Sequence, residues 1–451
     1  MSILITFFIG VFSIFFSKLL LRQWFNHLSI YTVIWMSMII LYELKLMAYF
    51  DLRVETWIII IFAFVALWLG SLTVILARTT KNNESDEISY FDYKSVPIFA
   101  DNGKTLKKVI IIFTLIGSLS AFYQWWVLIK EFGSLTAVLL HAAIIYQLRV
   151  QGEISTGIPY IFALVHVALI LSGIYSAYKG KFNIFILFPF IILILKSVAD
   201  VARAGMLLGF LGYFISFFIC KQFFDLVYRN KQNRNRKKVV MSIIFLVALI
   251  ITGAAIVKMF RSPSENYMAS SSSLRKWESG LIISPTIYLY SSSHIGVLNS
   301  YLINQDENNH FGESTFFPFY RFISKLGVIK KPSYYQKGYF FPMWSNTGTY
   351  LRDLHSDFGY AGVFIFPFLI GMLATIFGYR YYSTGNIRDL IILIYIYIMI
   401  AFSFLNIASR MGIWLIGLVV LMLIIPLFKR AFNKSLSEQS NKFSLDNPQD
   451  N

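Results

Sequence analysis

Acidic side chains are scarce in this chain of 451 residues: 23 Asp and Glu stand against 40 Lys and Arg, and charged residues of both signs reach only 14%. A soluble domain has roughly a quarter of its residues charged, so the chain falls outside that class. Cysteine occurs once, at Cys220, which excludes an intrachain disulfide and any thiolate metal cage. His294, His310, Asp306, Glu307 and Glu313 are scattered without the spacing of metal ligands. No outer segment carries the Asp-x-Asp pair that a cation-dependent glycosyltransferase would use, so neither a metal nor another cofactor is expected. No internal repeat and no discrete soluble domain is visible.

What the chain has in abundance is apolar length. It is 57% hydrophobic, with 44 Phe and 27 Tyr, and continuous runs long enough to cross a hydrocarbon core, which takes about 20 residues, recur about eleven times. They are Ser2 to Leu21, Leu28 to Phe50, Thr56 to Ala77, Val109 to Ile129, Gly157 to Tyr178, Phe182 to Ala199, Ala204 to Val227, Val239 to Phe260, Asp357 to Tyr379, Ile387 to Ala408 and Met411 to Phe428. Continuous runs exclude the weak alternating segments of a barrel, so the expectation is an all-α polytopic membrane protein. Ser2 to Ser17 has no charged residue ahead of its apolar run, which favours a retained first helix over a cleaved signal.

The net charge of +17 is concentrated at the ends of these runs rather than on a nucleic-acid-binding face. Clusters at Arg78 to Lys108, Arg229 to Lys238 and Lys429 to Lys434 all become cytoplasmic if the N-terminus lies outside and the C-terminus inside. That arrangement divides the chain into membrane helices over residues 1–260, an extracytoplasmic loop over 261–356, further membrane helices over 357–430, and a polar, disordered cytoplasmic tail over 431–451. Within the loop, Leu281 to Ile303 is of spanning length, but Pro285, the Ser291–His294 cluster and Asn299 point to an interfacial or re-entrant helix. Ser134 to Val150 reads as an outer-leaflet interfacial helix with Arg149 on a defined face.

Charged groups at membrane depth are functional hypotheses. Lys196, Asp200 and Arg203 fall at i, i+4 and i+7 and would share a face if their helix continued. They are either a snorkelling Lys beside an Asp/Arg pair closing a hairpin, or an anion site in which Asp200 supports Arg203 and the planar guanidinium grips phosphate. Arg149, Arg261, Arg352 and Arg410 lie at outer helix ends and are either interfacial anchors or further phosphate ligands. For acid-base work the dense group is Asp353, His355 and Asp357, although Asp357 also suits a helix N-cap. His166, inside a span, reads as a hydrogen-bonded core residue.

Three stretches carry a family resemblance: Ala202-Arg203-Ala204-Gly205, Phe311-Gly312-Glu313-Ser314-Thr315-Phe316-Phe317-Pro318, and Asn346-Thr347-Gly348-Thr349 leading to Asp357-Phe358-Gly359-Tyr360-Ala361-Gly362. With the layout of helices and one long late loop, the chain resembles the Wzy-type polysaccharide repeat-unit polymerases. The resemblance implies a GT-C-like fold and metal-independent glycosyl transfer at the outer face of the bacterial inner membrane. Donor and acceptor would be undecaprenyl-diphosphate-linked oligosaccharides, extended into O-antigen or capsular polysaccharide, with a chain-length regulator as a protein partner. It also implies that Arg203, with Arg149, Arg410, Lys196 and Arg352, would meet the diphosphate, and that Asp357, His355 or Asp353 would take the acceptor's proton. An O-antigen ligase shares the layout, and a lipid-linked oligosaccharide flippase or transporter would use intramembrane charges along a pathway.

Overall fold

The computed structural model describes residues 2–81, 97–99, 101–151, 153–154, 157–158, 160–227, 285–305, 307, 311–333, 336–342 and 344–446. The expected span Val239–Phe260, the basic cluster Arg229–Lys238, and Arg261, Asp306 and His310 lie outside the described residues. The helices are α1 (Ser2–Leu21), α2 (His27–Glu43), α3 (Val54–Lys81), α4 (Lys104–Phe132), α5 (Leu135–Leu140), α6 (Ala142–Gln151), α7 (Ala163–Lys179), α8 (Leu187–Ala199), α9 (Ala204–Val227), α10 (Pro285–Asn304), α11 (Phe317–Lys325), α12 (Tyr350–Thr384), α13 (Ile387–Phe402) and α14 (Gly412–Asp446). Among the described residues the one sheet pairs β1 (Tyr339–Phe340) with β2 (Trp344–Ser345), antiparallel. The protein is an all-α membrane protein: α1, α3, α4, α9, α12 and α14 each contain a stretch long and apolar enough to cross a bilayer. The last helix runs to Asp446, into the segment expected to be disordered.

The chain forms two compact units. One comprises Met1–Ser85, Glu265–Ile376 and Ile396–Gly412; the other comprises Asp86–Ser264, Phe377–Tyr395 and Ile413–Asn451.

In the first unit, glycine lets two helices touch backbone to backbone. A Cβ on Gly70 of α3 would stand 1.9 Å from the Phe368 carbonyl oxygen of α12, and one on Gly371 would stand 2.1 Å from that of Leu67. Small residues at a helix crossing are how membrane helices gain close packing when lipid supplies no hydrophobic drive. Polar groups tie the same region: His27 Nε2 lies 2.8 Å from Ser71 Oγ, and Ser71 Oγ donates to the Gly371 carbonyl at 3.2 Å. Gly70→Ala and Gly371→Ala are each expected to destabilise the protein by about 1–3 kcal/mol through overpacking. The check is the rate of thermal inactivation in detergent, and an unchanged rate would refute the crossing.

The polar residues that set Leu281 to Ile303 apart are satisfied by packing. Asn299 Oδ1 in α10 accepts from the Arg53 amide at 2.9 Å and from Thr56 Oγ1 at 2.7 Å, so it closes the start of α3. Ser292 Oγ meets Tyr49 Oη at 2.9 Å, and the buried ring of His294 faces the carbonyls of Thr347 and Tyr290. Buried polar groups cost free energy unless they are bonded, and α10 bonds its own against α2, α3 and the following loop.

In the second unit α7 is buried almost throughout and packs on α4 and α9. Gly173 faces the Tyr213 carbonyl and Gly117 faces Val165, approaches that a Cβ would block. His166 Nε2 lies 3.1 Å from the Gly205 carbonyl, a core hydrogen bond. The stretch Ser134 to Val150 is two helices rather than one: α5 ends at Leu140, with His141 as its C-cap, and α6 begins at Ala142. Their apolar residues Val138, Ala142 and Ile145 pack with Leu128, Ala199 and Val201.

Candidate functional site

The proposed site residues gather in two clusters, one in each unit. In the second unit the centre is Asp200, the C-cap of α8. Lys196 reaches it from one turn earlier, with Nζ 2.6 Å from Oδ2, and Arg149 Nη1 of α6 lies 3.6 Å from Oδ1. Gln124 of α4 bridges the pair, donating to Asp200 Oδ1 at 2.7 Å and accepting from Lys196 Nζ. Two cations thus share one carboxylate in a cluster whose side chains are largely withdrawn from solvent. Arg203 departs from the expected alignment. Helix α8 ends at Ala199, and Val201 turns the chain through φ +49, an uncommon conformation for a β-branched residue. Arg203 therefore sits at the entry to α9, where its carbonyl accepts from Leu207 N at 3.0 Å, and is not one turn further along α8.

In the first unit, Arg352, Asp353, His355 and Asp357 stand on the opening turns of α12, and Arg410 approaches from the turn after α13. The expectation that Asp357 is a helix N-cap needs correction. The helix begins at Tyr350, and the break falls at Gly359, whose φ of 62 and ψ of −153 belong to a region that only glycine adopts readily. Asp357 instead caps a neighbouring loop, its two carboxylate oxygens accepting from the amides of Ser314 at 3.0 Å and Thr315 at 2.6 Å.

Asp353 is fully buried. It accepts from Gln336 Nε2 and, at 3.2 Å, from the Ile407 amide, with Arg410 Nη1 at 3.6 Å. Arg410 also donates to Ser314 Oγ at 2.9 Å and lies over the Phe317 ring at 4.8 Å. Arg352 is likewise fully buried, and its donors are engaged. Nε and Nη2 reach Glu307, Nη2 reaches the Lys337 carbonyl at 2.7 Å, and Nη1 reaches that of Asn346 at 3.3 Å. Gly348 leaves room for this side chain, since a Cβ there would stand 2.7 Å from Arg352 Cδ. A guanidinium ringed by one carboxylate and two carbonyls is built as a framework group holding this loop, and in this arrangement its fork is turned to protein acceptors.

His355 differs from both aspartates. It is half-buried, and Nδ1 lies 2.9 Å from Tyr301 Oη, with Tyr360 edge-on at 5.1 Å between ring centroids. Burial and then the carboxylate of Glu307 push the Tyr301 phenol upward, so it stays protonated. With Nδ1 occupied, Nε2 is the nitrogen suited to proton transfer, and it is basic in the tautomer whose Nδ1–H donates to Tyr301.

Among the described residues no group of three or more His, Cys, Asp or Glu is placed to hold a metal ion. No family model, no curated protein and no solved structure matches this chain.

Two of the three quoted sequence stretches therefore have a physical reason to occur together in the first unit. Ser314 and Thr315 cap Asp357, the carbonyl of Asn346 receives Arg352, and Gly359 makes the break that ends the cluster. Gln124, Gln336 and Tyr301 escaped the sequence reading. Neutral hydrogen-bonding side chains far away in the chain carry no charge pattern, and only their partners mark them.

Proposed function

We propose that this protein is a metal-independent glycosyltransferase that polymerises undecaprenyl-diphosphate-linked oligosaccharide repeat units at the outer face of the bacterial inner membrane. One observation carries the reading. Lys196 and Arg149 both converge on Asp200 in a largely buried place. Two cationic donors are thus presented side by side, and a lipid-linked diphosphate offers oxygens suited to a guanidinium fork. Arg203 lies next along the chain and would add to the same grip.

In the reaction the bond between the donor's anomeric carbon and its phosphate oxygen breaks, and a bond from the anomeric carbon to an acceptor hydroxyl oxygen forms. The hydroxyl proton passes to a base, and the diphosphate leaves with the bonding pair. Within the first unit by itself, Asp353 and Asp357 are occupied by amide, Gln and Arg donors, whereas among the described residues Nε2 of His355 is not, so of these three the histidine is best suited to take up a proton.

The test is elongation by the purified full-length chain in detergent, with lipid-diphosphate-linked repeats as donor and acceptor and a chelator present. A ladder of lengthened lipid-linked glycans is expected. No elongation under any condition would overturn the proposal, and transfer only to a lipid A core would make the protein a ligase instead.

A further inference from the structure

Helix α11 is amphipathic in the wrong sense for a helix that packs by its apolar face. Phe317 is buried beneath Arg410, and the turn before it is held by Asp357 and by Ser409 Oγ, which donates to the Thr315 carbonyl at 2.7 Å. At 3.6 residues per turn, Phe319, Phe322 and Leu326 stand on the far side of the helix from Phe317. They are 61%, 61% and 65% exposed. The patch continues through Phe316, Phe311 and Val328, all exposed. Beside it project Arg321, Lys325, Lys330 and Lys331, each exposed. From Ser314 to Arg352 the sequence contains no Asp or Glu at all.

We propose that α11 lies in the head-group layer of the bilayer and binds anionic phospholipid, with Phe319, Phe322 and Leu326 entering the acyl boundary and Arg321, Lys325, Lys330 and Lys331 meeting the phosphates. The occupant is set by chemistry: an outward aromatic and aliphatic face beside four cations, with Glu313 as the one carboxylate between Phe311 and Lys331, matches an interfacial helix at a negative membrane surface. A second copy of this chain would present the same basic surface, and like charges would oppose the contact. The helix is tied through Ser314, Thr315 and Phe317 to Asp357 and Arg410. Its seat in the lipid therefore bears on the position of the residues around Asp353. The inference depends on the membrane character of the chain and not on its reaction.

The experiment places a bimane fluorophore on Phe322→Cys, and separately on Phe319→Cys and Arg321→Cys, in the full-length protein. Cys220 is buried and stays unlabelled, which the unmodified chain controls. The labelled proteins are reconstituted in nanodiscs of phosphatidylcholine with or without phosphatidylglycerol. Doxyl-labelled phosphatidylglycerol is expected to quench the Phe319 and Phe322 positions more strongly than doxyl-labelled phosphatidylcholine, and aqueous iodide should quench the Arg321 position. Changing Arg321, Lys325, Lys330 and Lys331 to Gln should reduce the preference for the anionic lipid by on the order of fivefold per residue. Iodide quenching at Phe322 would place the face in water, and failure of every quencher to reach it would place it under protein. Either result, or equal quenching by the two lipids, overturns the proposal.

Discussion

Arg149→Ala is expected to lower glycan elongation by about 100- to 1,000-fold, the scale at which one preorganised donor to developing charge is lost, while leaving the amount of folded protein unchanged. Removing Arg149 leaves Lys196 and Asp200 as a pair still bridged by Gln124, so the cluster keeps those bonds and loses the guanidinium fork that would grip a diphosphate. Arg149→Lys should recover only part of the activity, because an ammonium lacks the planar fork. Arg203→Ala should also abolish elongation at normal protein level. Asp200→Asn removes the carboxylate that both cations share and should tighten inhibition by inorganic pyrophosphate while it weakens folding. Elongation at the unmodified rate in Arg149→Ala would remove the anion site from the mechanism.

Arg352→Leu is expected to cost about 3–5 kcal/mol of stability, because it strands a buried partner. Glu307 would keep its charge without a counter-ion, and the carbonyls of Lys337 and Asn346 would lose their donor. Limited proteolysis should then cut within residues 307–349, and inactivation on heating should quicken. Arg352→Lys should rescue poorly, since three acceptors in different directions need the fork. The double change Arg352→Leu with Glu307→Gln should be milder than Arg352→Leu alone, because no buried charge remains, and with Glu307→Gln as the other single variant the cycle measures the coupling between the pair. A fully stable Arg352→Leu protein without activity would return Arg352 to the phosphate site.

Both predictions concern groups whose importance the sequence signalled but whose roles it left open. Lys196 and Asp200 were legible as neighbours on one helix face because four residues on a helix bring side chains together, although both readings of the sequence gave Asp200 to Arg203 and the structure gives it to Lys196 and Arg149. Arg203 was aligned with them only by assuming that α8 continues, and the turn at Val201 broke that assumption. A single residue in a left-handed conformation is a tertiary outcome that no periodicity records. Asp357 suited an N-cap by local pattern, yet its partners came from the amides of Ser314 and Thr315, some forty residues earlier. Arg352 and Arg410 were indistinguishable as arginines near helix ends, and burial separated them from surface ligands: one is enclosed by Glu307, the other held between Asp353 and Ser314.

The sequence by itself determined the solvent. A chain so apolar, with its charges confined to the ends of long runs, can bury its backbone polar groups in lipid only as helices, because each helix satisfies its own N–H and C=O groups. It also determined which charged residues deserved suspicion, since charge at such depth is costly unless it is used or paired. Only the tertiary structure decided which it was. Whether a carboxylate meets a guanidinium, an amide or solvent depends on segments far apart in the chain arriving together, and on the glycines that permit it: Gly70 and Gly371 where α3 and α12 touch, Gly348 beside Arg352, and Gly359 at the break below His355 and Asp357.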